Sequence, residues 1–171
     1  MPVTGVDQYA NMYQTILTES AVTTLTYEEI NLGLTLFQKR AILVSRIVID
    51  WGFGTIGLLA ATGDGVSVGL TQSNRPTSIT LRDTSTIWKA EKAVVEYGTS
   101  ANALIENMLD VYDLSDIPGG GEFIVPTPLY GAIQGIGIAA AASVVMRMYF
   151  TVVELKPEQY IELLEARHFF G

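Results

Sequence analysis

The chain has 171 residues, no cysteine, one histidine and a formal net charge of −8; 49% of its residues are hydrophobic and 16% charged. That length fits one domain with a substantial core. The cysteine count excludes disulfides, thiol nucleophiles and thiolate metal sites. The charge argues against a nucleic-acid surface, which needs clustered Lys and Arg. Residues 1–38 contain no Lys or Arg, and carry Asp7, Glu19, Glu28 and Glu29.

Residues 1–20 show no clean period and read as an N-terminal arm or edge segment. Met-Pro-Val-Thr-Gly lacks the charged start and apolar core of a signal peptide. The most apolar window, Gly131 to Met146, holds Gln134 and several glycines and stops at Arg147, which is too short and glycine-rich for a membrane span. A soluble protein made in the cytoplasm is expected. Thr23 to Asn31 is Thr- and Tyr-rich and reads as a strand near an edge, because Glu28 and Glu29 break its pattern.

Ala41 to Trp51 has strand period: Leu43, Ile47, Ile49 and Trp51 share a face interrupted by Ser45, and Ile42, Val44, Arg46, Val48 and Asp50 form the other. Thr55 to Thr71, with Gly63-Asp64-Gly65 in its middle, reads as a hairpin. Ser78 to Arg82 reads as a brief strand. Residues 88–112 fit strand or helical spacing, and the β-rich context favours strands. Gly119-Gly120-Gly121 lies in a loop before a strand from Phe123, followed by a looser one from Tyr130. Ser143 to Leu155 is the longest strand, with Val144, Met146, Met148, Phe150 and Val152 on one face and Val145, Arg147, Tyr149, Thr151 and Val153 on the other. Pro157 then opens an amphipathic helix running to His168, with Tyr160, Ile161 and Leu164 on one face. Two long strands with one apolar side each require a second apolar layer. The fold class expected is therefore mainly β: a single-domain β-sandwich, with an arm at 1–20 and a C-terminal helix and tail at 156–171.

Chemistry is sparse. His168, three residues from the chain end, is a poor scaffold for a Ser-His-Asp site. No Cys/His cluster supports zinc, and Asp110, Asp113 and Asp116 lack the EF-hand pattern. The glycine triplet has no Lys-Ser/Thr partner for a phosphate. A carboxylate pair for glycoside hydrolysis would need an aromatic-lined cleft, and Trp51 and Trp88 read as core. The expectation is no enzyme, no cofactor, no metal and no small-molecule substrate. Arg46 and Arg147 sit mid-strand among apolar neighbours; they read either as surface arginines with stems over apolar groups or as partners of carboxylates such as Asp50 and Glu154, within a sheet or across a subunit boundary. Tyr9, Met12, Tyr13, Ile16 and Leu17 near the start, with Phe169 and Phe170 at the end, form the candidate interface.

Thr23 to Ile30, Ala41 to Trp51, Phe123 to Gly131 and Val144 to Leu155, in an acidic, cysteine-free chain ending in a helix, together give an outline that resembles the single jelly-roll coat proteins of tailless viruses. The resemblance covers most of the chain and is one of texture, with no specific motif. It implies a jelly roll and a structural virion protein: identical subunits, and other virion proteins, forming a symmetric shell without catalysis. Coat proteins that package naked nucleic acid commonly carry a basic arm, and the acidic start departs from that. Such a shell would then surround a membrane or an inner protein layer, or the subunit is an outer or minor component. The rival is a jelly-roll binding module, lectin-like or a spike, that recognises a glycan or protein partner. Its aromatics would be Tyr9, Tyr13, Tyr27 and Tyr97.

Overall fold

A computed structural model describes residues 10–34, 40–52, 54–55, 58–94, 108–117, 119–125 and 128–168. Nine strands and one helix follow in order: β1 Asn11–Thr18, β2 Thr26–Glu29, β3 Arg40–Asp50, β4 Gly65–Thr71, β5 Thr86–Ala93, β6 Leu109–Asp113, β7 Glu122–Ile124, β8 Tyr130–Ile136, β9 Ser143–Glu154 and α1 Pro157–His168. One antiparallel sheet has the order β1-β9-β3-β6, with β7 pairing β3 beside β6; the other runs β2-β8-β4-β5. β1 to β4 alternate between the sheets, β5 stays beside β4, β6 and β7 return to β3, and β8 and β9 are inserted inside β2 and β1. This is the double Greek key of a jelly-roll β-sandwich. No described helix is long and apolar enough to cross a membrane.

The two longest strands behave differently. On β9, Val144, Met146, Met148 and Phe150 are buried in the expected phase, with Val152 packed against the same core. On β3, the inward residues are Ile42 and Val44 before an irregularity and Ile47 and Ile49 after it, because the register against β9 shifts between Val44 and Arg46. A β-bulge inserts one residue and changes which face the following side chains take. Ser45 is that residue, so Leu43 does not share a face with Ile47, Ile49 and Trp51. The Ser45 carbonyl accepts from the Leu114 N–H at 2.8 Å.

Among the described residues of 55–71, β4 stands without the expected hairpin partner. Gly63 turns with φ +94°, but β4 takes its partners from β5 and β8. Nor is 78–82 a strand: it belongs to the β4–β5 connection, which lies over the outward face of the β2-β8-β4-β5 sheet. Ile79 is buried against Gly69, where a Cβ would meet its Cγ2 at 2.6 Å. The Tyr27 hydroxyl donates to the Pro76 carbonyl at 2.8 Å. All seven residues of β4 are consequently buried.

Of the sequence expectations for 88–112, β5 and β6 are strands; 95–107 lie outside the described residues. Residues 11–18, within the expected arm or edge segment, are an edge strand paired along its length with β9. The helix falls where Pro157 predicts it, anchored by buried Tyr160; Ile161, expected on the same face, is 53% exposed.

Candidate functional site

The outward face of the β1-β9-β3-β6 sheet contrasts with its lidded counterpart. Cross-strand register sets side chains in rows. Pairings place Met12 beside Tyr149, Gln14 beside Arg147 and Ile16 beside Val145. They continue from Tyr149 to Arg46, Arg147 to Val48 and Val145 to Asp50, and then to Asp113, Val111 and Leu109 on β6. Four large apolar residues of this face are open to solvent: Met12 56%, Ile16 47%, Leu109 55% and Val111 54%. Met108, just before β6, is 58% exposed. Between them run charged groups. Arg46 donates to Asp113 at 2.9 Å, and Arg147 Nε donates to the Gln14 side-chain carbonyl at 2.7 Å. The hydroxyl and backbone N–H of Ser115, followed by Arg46, hold the Asp113 carboxyl at about 2.

Within the subunit these contacts differ from the expected ion pairs. Arg46 and Asp50 are four residues apart on one strand, about 13 Å along it, and Arg147 and Glu154 about 23 Å. Asp113 instead lies directly opposite Arg46 in register. Asp50 accepts from the Gly52 N–H at 2.9 Å, and Glu154 stands opposite Arg40.

The candidate interface residues divide by strand parity. Met12 and Ile16 point outward. Tyr13 packs against the core, and Leu17, 1% exposed, belongs to it; Leu17 is therefore no surface group. Tyr9, Tyr97, Phe169 and Phe170 lie outside the described residues. Tyr13 and Tyr27 do not gather on a loop: one faces the core, the other ties down the lid. Sequence reasoning missed Met108, Leu109, Val111 and Asp113, which fall in or beside a segment whose period is ambiguous.

Between the sheets, both open sides are closed by polar contacts. On the β1/β2 side, Thr15 donates to Glu28 at 2.6 Å. On the β5/β6 side, Asp110 Oδ2 accepts from Lys92 Nζ at 2.8 Å, Trp51 Nε1 at 2.9 Å and the Tyr112 hydroxyl at 3.4 Å. Tyr112 meets Trp88 edge-on, ring centroids 5.0 Å apart. Burial, then the Asp110 charge, pushes the Tyr112 phenol up to about 12. Asp110 thus points inward and Asp113 outward, and the two do not converge on a cation. Among the described residues no three His, Cys, Asp or Glu side chains gather as metal ligands. Glu19, 3% exposed, accepts from the N–H groups of Gly135 at 2.6 Å and Ala142 at 2.8 Å, joining the end of β1 to both ends of the β8–β9 connection.

A gap of ≈ 120 Å³ opens between the sheets near Val44, Ile47, Leu70, Trp88 and Ile117. It is apolar and smaller than the roughly 300 Å³ at which small-molecule sites begin.

The fold and its faces define a jelly-roll β-sandwich with one outward sheet face covered over β4 by its own chain and the other open. No protein-family model matches the sequence, and no curated protein matches it. Solved structures share the fold. The chain is similar to VP1 of Merkel cell polyomavirus in the structure of its unassembled pentamer, with TM-score 0.53 and 7% identity over 91% of this chain and 99% of that one. It is similar also to the same viral protein in complex with GD1a oligosaccharide, with TM-score 0.51 and 9% identity over the same 91% and 99%. At such identities the likeness is one of fold.

Proposed function

We propose that this chain is a structural virion protein: a single-domain coat subunit that self-assembles into a symmetric shell and catalyses nothing. The observation that carries the reading is the open sheet face, where Met12, Ile16, Leu109 and Val111 stay exposed together, whereas on the other outward face β4 is buried. Exposed apolar surface of that kind marks an interface, and closed symmetry buries one such patch repeatedly. The likeness in fold to a viral protein solved as an unassembled pentamer supports the same reading. Fold alone does not assign function. The partners are then further copies of the chain and other virion proteins, with a membrane or inner protein layer inside the shell, and the location is the virion after synthesis in the host cytoplasm. Negative-stain electron microscopy and light scattering of the purified chain test this. Uniform closed particles or rings are expected; a folded protein that stays monomeric at high concentration overturns it.

The second reading is a glycan-binding module. The relevant observation is that a similar structure is a complex with an oligosaccharide. Glycan-array binding by an unassembled, folded chain would favour it.

A further inference from the structure

We infer that the outward face of the β1-β9-β3-β6 sheet is where a second copy of this chain packs, face to face about a two-fold axis. The inference rests on the coat reading and names the surface and the pairing. Three observations carry it.

First, this face is chemically self-matching. Its rows hold Arg46 and Arg147 with Asp50 and Asp113, among Met12, Ile16, Val48, Val111 and Leu109. The two arginines and two aspartates cancel, so the chain's net charge of −8 is carried by its other residues. Two acidic copies repel through most of their surfaces. With the two-fold axis parallel to the strands, β1 lies over β6 and β9 over β3, so that Ile16 meets Leu109, Arg46 meets Tyr149 and no like charges oppose. A basic or acidic partner would find a neutral surface.

Second, the size fits. A four-stranded face about 19 Å wide and about 27 Å long covers roughly 500 Å² in projection. That is over half of the roughly 800 Å² that each partner contributes to a standard interface, and side-chain relief and the Met108 flank extend it.

Third, the sandwich shows what it does with a face it keeps to itself. The β4–β5 connection covers the middle of the opposite sheet through Ile79 and Pro76, leaving Ile136 at its border 46% exposed. Among the described residues nothing comparable lies over Ile16, Val111 or Leu109, which are 47%, 54% and 55% exposed. A two-fold pairing is isologous, so one patch satisfies both partners.

The test uses the full chain. Ile16→Glu and Val111→Glu place a charge in the centre of the proposed contact, where burying it without a partner is costly. Both positions are solvent-exposed, so the fold tolerates them. The monomer–dimer equilibrium, read by sedimentation, is expected to weaken at least about tenfold for each, which corresponds to about 1.4 kcal/mol; circular dichroism stays unchanged. Leu81→Glu, 66% exposed on the other side of the sandwich, is the control and leaves association as it was. A second arm works even if a glutamate variant misfolds. The chain has no cysteine, so Val48→Cys introduces one thiol near the centre of the face. A short bis-maleimide is expected to join two copies through it, and Leu81→Cys is expected to remain unjoined. Folded glutamate variants that associate like the parent, or equal crosslinking at both cysteines, overturn the proposed face and leave the coat reading standing. A parent chain that is monomeric throughout overturns both.

Discussion

Replacing Asp110 by alanine leaves a tryptophan N–H and a lysine ammonium without their acceptor inside the β5/β6 side of the sandwich. Removing one partner of a largely buried charged pair exposes the other's full desolvation cost. Asp110→Ala is therefore expected to cost about 2–3 kcal/mol in urea unfolding, and the double variant with Lys92→Met less than the sum of the two single changes. Tyr112 beside it gives a pH signature. Its phenol titrates at about 12 in the folded chain against an ordinary 10.0. The folded state thus holds this proton more tightly. The resulting stability is complete below pH 10 and is lost as pH rises from there through 12. Tyr112→Phe should remove that alkaline decline, as followed by thermal midpoints across the range. Asp113 works in the opposite direction: its carboxyl is depressed to about 2 from 3.8, so its contribution is present above 3.8 and fades as pH falls through 2. Because Asp113 is solvent-exposed, Asp113→Asn should change acid stability only slightly.

At the scale of elements, Ser45 is the extra residue of the β3 bulge. Deleting it would restore a regular ladder in which Ile42, Val44, Ile47 and Ile49 keep both their inward phase and their partners on β9. The deletion is expected to leave the fold intact while removing the carbonyl that accepts from the Leu114 N–H, and Ser45→Ala should stay within about 1 kcal/mol by denaturant titration. The glycines of β8 are a stricter constraint. A methyl at Gly135 would run into the Ile138 side chain and stand 2.9 Å from Glu19 Oε2. Gly135→Ala should therefore cost about 1–3 kcal/mol through overpacking.

These elements also show how far the sequence could be read. β9 and α1 were legible because a period of two and a proline-opened helix are local signals. The phase of β3 was not, since a bulge is fixed by the partner strand and Ser45 looked like a lone polar interruption. The apparent hairpin at 55–71 rested on a real turn at Gly63, but β4 draws its neighbours from residues 86–93 and 130–136, a long-range pairing that no local pattern records. Arg46 was correctly singled out as needing an explanation; its acid partner lay 67 residues away. The exposed residues of β6 were hidden by the same ambiguity of period that obscured their strand.

For the whole molecule, mainly β circular dichroism with a minor helical component is expected. β1 contributes Leu17 to the core and closes one side through Thr15, so removing residues 11–18 is expected to cost the fold itself, not assembly alone. The covered sheet has a further consequence. Beneath the β4–β5 connection, a change at Gly69 or Ile79 is felt at once by the packing, so mutation there is judged by stability. On the bare sheet, Ile16 and Val111 touch solvent, and drift at those positions is invisible to folding. Mutation there can alter which molecules the protein meets without touching how it folds, so that one side holds the inheritance of the shape and the other its freedom to diverge.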